Sequence, residues 1–161
     1  MSHRVLAVCA GNICRSPAAE AAIRESAVRR GVEVRVDSAG TGAWSVGSPP
    51  HPQSVAAGLR AGLTVAGRAR RVIAADFERF DVIVVMDRSN LRDVAALARN
   101  LEDRAKVRLF RTYDTATDAD EVPDPYGCPD EVYDEMIRQV TAAAEGLVES
   151  LAILTPMTGT G

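Results

Sequence analysis

The chain has 161 residues, of which 47% are hydrophobic, 25% are charged and 4% are aromatic. This size and balance are typical of one soluble globular domain. The formal net charge of −3 argues against a general nucleic-acid binder, and no apolar run approaches the roughly 18 residues of a membrane span. Three cysteines fit neither a secreted disulfide framework nor a four-cysteine zinc site. We therefore expect a cytoplasmic protein without nucleic-acid or membrane partners.

The first half of the sequence alternates strand and helix patterns. Apolar runs and Val/charged alternation predict strands, whereas the Ala-rich stretch with proline in its first turn predicts a helix that stops at Gly31. In chain order the predicted elements are a strand at 4–8, a helix from Pro17 to Arg30, a strand at 32–36, a loop at 37–42, a proline-rich loop at 43–52 and a helix at about 53–61. The first apolar run is too short for the core of a signal peptide.

The second half contains the clearest strand, an unbroken apolar run between Asp81 and Asp87 that is typical of a central parallel strand. Ser89 is predicted to cap a helix from Asn90 to about Arg99, and a fourth strand is predicted at 106–110. A polar loop follows at 114–127. Asp130 is predicted to cap a last helix that reaches about Leu154, with one apolar stripe formed by Ile137, Val140, Ala144, Leu147, Val148 and Leu151.

This alternation predicts an α/β fold, a three-layer sandwich with a four-stranded parallel sheet flanked by helices. We expect one domain over residues 1–154 and a flexible C-terminal tail at 155–161. Ligands of such sheets bind outside the carboxyl ends of the strands. The loop that starts at Cys9 follows the first strand and precedes the first helix, so it lies in that position.

The segment from Cys9 to Ser16 has the composition of an anion-binding loop. A strand-to-helix loop turns backbone N–H groups inward, and the helix N-terminus adds its dipole. Arg15 can bind two phosphate oxygens with its planar guanidinium group, and Gly11 tolerates unusual backbone angles. The predicted phosphate-binding residues are Ala10, Gly11, Asn12, Ile13, Cys14, Arg15 and Ser16.

Cys9 is predicted to lie at the floor of this loop. The donors that bind an anion also stabilise a thiolate, and Ser16 can donate a hydrogen bond to the sulfur. A thiolate that faces phosphorus in line is a nucleophile and forms a phosphocysteine intermediate. Arg15 and the backbone amides would then stabilise the transition state.

The segment resembles the signature loop of the low-molecular-weight protein tyrosine phosphatases. The similarity extends in the family order through 37–41, Phe80-Asp81, Met86-Asp87, Asn90-Leu91 and 124–127, and so covers roughly residues 4 to 150. The resemblance implies a four-stranded parallel sheet and hydrolysis of phosphotyrosine in proteins or peptides, with phosphate and similar oxyanions as ligands. No cofactor or metal is expected.

Phosphoryl transfer from a phenol needs a proton donor, and Asp124 is distinguished by the flanking Pro123 and Pro125, which stiffen its loop. The resemblance implies that this Asp-Pro aspartate is the general acid. It also implies that Trp44 and Tyr126 form the walls of a slot for a phenyl ring. Many family members have a second aromatic residue after that tyrosine, where this chain has Gly127 and Cys128, so the peptide preference is left open.

Two further loop residues have roles that the resemblance implies. Asn12 is expected to hold the shape of the loop, although the histidine that often supports it in the family is absent from 65–68. Cys14 is a possible redox partner that bonds Cys9 on oxidation, or else a small packing residue. We expect both histidines, His3 and His51, to lie on the surface.

Three alternatives remain. A protein arginine phosphatase of the same fold has threonine where this chain has Ile13, and an apolar side chain suits a phenyl ring better. An arsenate reductase needs further redox cysteines, and none lies between Cys14 and Cys128. A non-catalytic phosphate-binding module would have lost Cys9 or Asp124.

The basic cluster at 68–71 is a partner surface or a solvated face. The Ala- and Arg-rich composition hints at a bacterial source.

Overall fold

The computed structural model describes residues 2–154, so the expected tail at 155–161 lies outside the described residues. Strands and helices alternate along this range. In chain order they are β1 (His3–Cys9), α1 (Arg15–Arg30), β2 (Val34–Gly40), α2 (Pro52–Arg60), α3 (Asp76–Arg79), β3 (Val82–Val85), α4 (Arg88–Ala95), α5 (Leu101–Ala105), β4 (Val107–Leu109), a 3₁₀ helix (Phe110–Tyr113) and α6 (Asp130–Leu154).

The four strands form one parallel sheet in the order β2-β1-β3-β4. Successive residues of β1 point to opposite faces of the sheet. Val5 and Ala7 belong to a buried cluster with residues of α1 and α6, whereas Leu6 and Val8 belong to a second cluster that includes Phe77 of α3. Helices therefore cover both faces, and the predicted α/β sandwich is confirmed.

The strand order determines where a ligand can bind. From β1 the chain passes through α1 to β2 on one side of the sheet, and then returns past β1 to reach β3 on the other side. The crevice at such a reversal, outside the carboxyl ends of the strands, is the usual ligand site of open α/β sheets. The loop between Cys9 and Arg15 lies at this end of β1.

Local signals predicted the extent of the first and last helices well, but Asp130, the predicted cap of the last helix, is its first helical residue. The helix α1 begins at Arg15, two residues earlier than expected, and ends before Gly31, whose φ of 67° is left-handed and closes the helix without a steric penalty. The apolar stripe expected on α6 is buried along its whole length. Even this helix lacks the apolar character that a bilayer crossing requires, as does every other helix in residues 2–154.

The expectation of a loop at 37–42 is wrong for its first four residues. Strand β2 continues to Gly40, because Asp37 pairs with Leu6 and the register runs on to Gly40 opposite Cys9. The composition Asp-Ser-Ala-Gly favours a turn, but hydrogen bonding to a buried neighbouring strand overrides that local preference. As a result the end of β2 lies directly beside the start of the anion-binding loop.

The prediction that Ser89 caps the helix after β3 is also wrong. The helix α4 begins at Arg88, and its N-cap is Asp87, whose Oδ1 accepts a hydrogen bond from the Asn90 N–H at 2.8 Å. Ser89 lies inside the first turn, and the helix ends at Ala95. Asn100 caps the separate short helix α5, and no sequence pattern predicts this helix, α3 or the 3₁₀ helix.

Candidate active site

Cys9 ends β1 and Arg15 begins α1, so the five residues between them form a tight loop at the end of the sheet. Both side chains are buried at the base of a cavity of about 170 Å³. Residues of this loop line the cavity together with Trp44, Asp124 and Tyr126. The fold therefore brings the predicted nucleophile, arginine, acid and aromatic walls together.

Asn12 holds the loop from behind and does not line the cavity. Its φ of 56° is left-handed, a conformation that asparagine tolerates better than most residues. The side-chain amide donates to Ser16 Oγ at 2.8 Å and to Ser38 Oγ at 3.0 Å. Its Oδ1 accepts a hydrogen bond from the backbone N–H of Arg70 at 3.0 Å, so a main-chain donor takes the place of the absent histidine.

Arg70 is the member of the basic cluster with a clear structural role. Its guanidinium group donates to both carboxylate oxygens of buried Asp76 at 3.1 Å and to Asp37 at 3.1 Å. These ion pairs fix the segment whose backbone N–H supports Asn12. This arginine is therefore a partly buried anchor of the loop and not a solvated charge.

Two donors surround the Cys9 sulfur. The Asn12 N–H lies 3.3 Å from Sγ, and Ser16 Oγ lies 3.0 Å from it. The Ser16 Oγ also lies 3.3 Å from the Ala39 carbonyl oxygen, so the hydroxyl can donate its single proton either to the sulfur or to that oxygen. Since Asn12 already donates to Ser16, the hydroxyl is free to give its proton to a sulfur that carries negative charge.

Arg15 is held at the base of the cavity by groups from other elements. Its side chain is 3% exposed, and Nη1 donates to Asp87 Oδ2 at 2.7 Å and to the Val122 carbonyl at 2.9 Å. The other terminal nitrogen, Nη2, lies 3.8 Å from Asp124 Oδ2. Asp87 was recognised only as part of the resemblance, and its contact with Arg15 had no signal in the sequence.

Asp124 lies on the long loop that leads to α6, and its side chain is 52% exposed. The Tyr126 N–H donates to its Oδ1 at 3.1 Å, which leaves Oδ2 directed toward Arg15. The Val122 N–H donates to the Met86 carbonyl at 2.7 Å and ties this loop to the end of β3. The aspartate is thus accessible to a ligand but supported on both sides.

Trp44 and Tyr126 are exposed at 72% and 64%, although both are large aromatic residues. The indole of Trp44 lies over Gly42, where a Cβ atom would overlap the ring, and approaches Gly11 of the loop. These glycines let the tryptophan lie close to the cavity. Both exposed rings line the cavity, so each offers an apolar surface against which a phenyl group can pack.

The expectation that His51 lies on the surface is wrong. It is half-buried, and its ring stacks on Tyr133 with ring centroids 5.6 Å apart. The same ring contacts Tyr126 edge-to-face. Nothing local in the sequence indicates this position, because the two tyrosines lie far along the chain.

Cys14 is buried, and its sulfur lies 3.7 Å from the Tyr133 hydroxyl. Burial raises the pKa of the Cys14 thiol to about 11. The sulfur therefore stays protonated at neutral pH, unlike a typical reactive cysteine.

Cys128 is half-buried and its sulfur lies 4.0 Å from the Tyr126 carbonyl. Among residues 2–154 there is no group of three or more His, Cys, Asp or Glu that could hold a metal ion.

Comparisons with known proteins point to one family. The family model described as low molecular weight phosphotyrosine protein phosphatase matches residues 4–154. A low molecular weight protein-tyrosine-phosphatase of Streptomyces coelicolor is 40% identical over 94% of both chains. A protein tyrosine phosphatase of Entamoeba histolytica, solved with Hepes in its active site, superposes with a TM-score of 0.90 at 30% identity, over 94% of this chain and 97% of that one.

The fold is shared with an enzyme of different specificity. A structure of the arginine phosphatase YwlE, a protein known from Bacillus subtilis, carries a phosphorylated active-site serine and superposes with a TM-score of 0.81 at 27% identity, over 92% of this chain and 95% of that one. The family match covers nearly the whole described chain, and the Streptomyces relative is clearly more similar than YwlE. The chain therefore belongs to the low molecular weight phosphotyrosine protein phosphatase family.

Proposed function

We propose that this phosphatase hydrolyses phosphotyrosine in proteins or peptides, and small aryl phosphates, through a phosphocysteine intermediate on Cys9. One observation carries the proposal: a buried thiol, a buried arginine, an exposed aspartate and two exposed aromatic rings line the same cavity of about 170 Å³. A phosphate group fits the base of such a site, and a phenyl ring fits its opening.

In the first step the substrate phosphate binds to the backbone N–H groups of the loop from Ala10 to Ser16 and to the Arg15 guanidinium group. The Cys9 thiolate attacks phosphorus as the bond to the phenolic oxygen breaks. Asp124 gives its proton to that oxygen, so that the phenol leaves as a neutral molecule. Arg15 stabilises the charge that is spread over the equatorial oxygens.

In the second step water attacks the phosphocysteine from the side that the phenol has left. Asp124, now ionised, accepts the proton of this water, and inorganic phosphate is released. The bond from phosphorus to sulfur breaks, and Ser16 donates its hydroxyl proton to a hydrogen bond with the departing thiolate at the 3.0 Å contact. The two steps return Cys9 and Asp124 to their starting states.

We also propose that Cys14 is a redox partner of Cys9. Hydrogen peroxide would convert the Cys9 thiolate to a sulfenic acid, and attack by the Cys14 sulfur would form a disulfide and release water. The raised pKa of Cys14 makes this step slow at neutral pH. The test is the activity that dithiothreitol restores after peroxide treatment. We expect greater recovery in wild type than in Cys14→Ser, and equal recovery would leave Cys14 as a packing residue.

The remaining parts of the proposal concern the setting of the enzyme. We take residues 1–154 as one catalytic domain and expect the enzyme to work in the bacterial cytoplasm, where reducing conditions keep Cys9 as a thiol.

A phosphoarginine substrate is the second candidate, since YwlE shares the fold. Ile13, which lines the cavity, favours a phenyl ring over a guanidinium group.

The experiment that tests the function compares wild type with Cys9→Ser on p-nitrophenyl phosphate, a phosphotyrosine peptide and a phosphoarginine peptide, with a chelator present. We expect aryl phosphatase activity in wild type that is lost in Cys9→Ser, while that variant still binds inorganic phosphate. Activity confined to phosphoarginine would transfer the protein to the second candidate function. Absence of activity on all three substrates would mean that the loop binds an anion without cleaving it.

A further inference from the structure

His51 lies between the anion-binding loop and the loop that carries Asp124. Its backbone N–H donates to the Ile13 carbonyl at 2.8 Å, and its Nδ1 accepts the Gln53 N–H at 3.2 Å, so the side chain caps α2. Its ring lies 5.6 Å from the ring of Tyr133 with an interplanar angle of 16°, and 5.6 Å from the ring of Tyr126 with an angle of 78°. The imidazole therefore joins two tyrosines that lie on different elements.

The two tyrosines differ in their freedom to move. Tyr133 belongs to α6, is fully buried and has its hydroxyl against the Cys14 sulfur, so it is a fixed support. Tyr126 is 64% exposed on a loop, and an exposed aromatic side chain on a loop has few contacts that restrict it. The edge-to-face contact with His51 restricts this ring.

The position of Tyr126 also determines the position of the proposed acid. Its backbone N–H donates to Asp124 Oδ1 at 3.1 Å, so a shift of the tyrosine moves the carboxyl group. We propose that His51 is a positioning residue, whose ring holds Tyr126, and through its N–H the Asp124 carboxyl, at the mouth of the cavity. This inference rests on the proposed function and adds a residue to its machinery.

Two substitutions separate the two roles of the His51 side chain. In His51→Asn the amide oxygen can still cap α2, because asparagine is a good N-cap, but the ring is lost. In His51→Phe a ring remains between the tyrosines, but the acceptor for the Gln53 N–H is lost. In both variants the backbone bond to Ile13 is kept, so we expect inorganic phosphate to bind with wild-type affinity.

We expect His51→Asn to lower kcat/KM by about two- to tenfold on aryl phosphates whose leaving groups need a proton, a range that corresponds to the strength of one aromatic pair. The loss should shrink for good leaving groups, since these depend less on Asp124. His51→Phe should lose less activity than His51→Asn but more stability. In a Tyr126→Ala background the effect of His51→Asn should disappear, because the residue acts through Tyr126.

Three results would overturn the proposal: a leaving-group dependence in His51→Asn that matches wild type, a larger activity loss in His51→Phe than in His51→Asn, or a full His51→Asn effect in the Tyr126→Ala background. If wild type has no phosphatase activity, the proposed function is wrong, but the positioning role of His51 can still be tested. The test is then hydrogen exchange of the Tyr126 amide, which we expect to be faster in His51→Asn than in His51→Phe. Equal exchange in the two variants would reject it.

Discussion

Arg15 and Asp87 form an ion pair at the base of the cavity, with Nη1 of the arginine 2.7 Å from Oδ2 of the aspartate. The other oxygen of Asp87 caps α4, so the same carboxylate is held by a helix N-terminus and holds the guanidinium group. This contact fixes the orientation of Arg15 before any ligand binds. A preorganised arginine stabilises transition-state charge without reorganisation during the reaction.

We predict that Asp87→Asn weakens phosphate binding and lowers kcat/KM. The amide can still cap α4, but Arg15 loses its charged partner. We expect an effect of about ten- to 150-fold, because a hydrogen bond to a charged group contributes roughly 1.5–3 kcal/mol. The inhibition constant of inorganic phosphate and the rate on p-nitrophenyl phosphate measure this change. Asp81→Asn is the matched control, since it removes the exposed pair with Arg4 far from the cavity. Equal phosphate inhibition in wild type and Asp87→Asn would contradict the orienting role.

The proposed acid predicts a second result. Asp124→Asn cannot protonate the leaving phenol, so we expect kcat on phosphotyrosine to fall by about 10²–10⁴-fold. The loss should decrease steadily as the leaving group becomes more acidic along a series of aryl phosphates. Asp118→Asn, an exposed aspartate on the same loop, is the control and should behave as wild type. A uniform loss across the series would remove Asp124 from the acid role.

Much of the fold was predictable because its signals are local. The apolar run from Val82 to Val85, the glycine at position 31 after the Ala-rich stretch and the apolar stripe of α6 each identify an element within a short stretch of sequence. The end of β2 was missed for the opposite reason. Its residues have turn composition, and only their pairing with β1, some 30 residues earlier in the chain, makes them a strand.

The same distinction applies to the site. Cys9 and Arg15 are related by fixed spacing in one loop, and Asp124 is marked by its flanking prolines. The contacts of Arg15 with Asp87 and of His51 with Tyr126 join residues more than 70 positions apart. No local pattern contains such pairs, since they depend on how the ends of β1, β3 and α2 meet in space.

Buried Cys14 predicts a loss of stability at high pH. Burial raises the pKa of its thiol from 9.0 to about 11 in the folded protein, so between these values the folded chain keeps a proton that the unfolded chain has released. The stabilisation is complete below pH 9 and declines as pH rises toward 11, by at most about 1.4 kcal/mol per pH unit.

Urea unfolding at several pH values between 8 and 11, in a reducing buffer, measures this contribution. The difference in unfolding free energy between wild type and Cys14→Ala should narrow as pH rises, because the variant lacks the group that titrates. Using the difference between two proteins cancels most other titrating groups. A constant difference over this range would mean that the Cys14 thiol has an ordinary pKa.

The choice between aryl and guanidinium substrates can be tested at Ile13, which lines the cavity beside the loop. Ile13→Thr replaces apolar surface with a hydroxyl group, and Ile13→Val is the matched control because valine has nearly the same shape as threonine without the hydroxyl. We expect Ile13→Val to reduce kcat/KM on phosphotyrosine only slightly, by about the contribution of one buried CH₂ group, roughly fourfold at most.

Ile13→Thr should reduce phosphotyrosine hydrolysis further, because a phenyl ring packed against the site would leave the hydroxyl without a hydrogen-bond partner. The ratio of phosphoarginine to phosphotyrosine hydrolysis should rise in Ile13→Thr and stay near the wild-type value in Ile13→Val. This ratio is independent of enzyme concentration and of any partial loss of folding, which affect both substrates alike. If both variants shift the ratio equally, side-chain volume and not polarity selects the substrate, and Ile13 would no longer separate the two candidate functions.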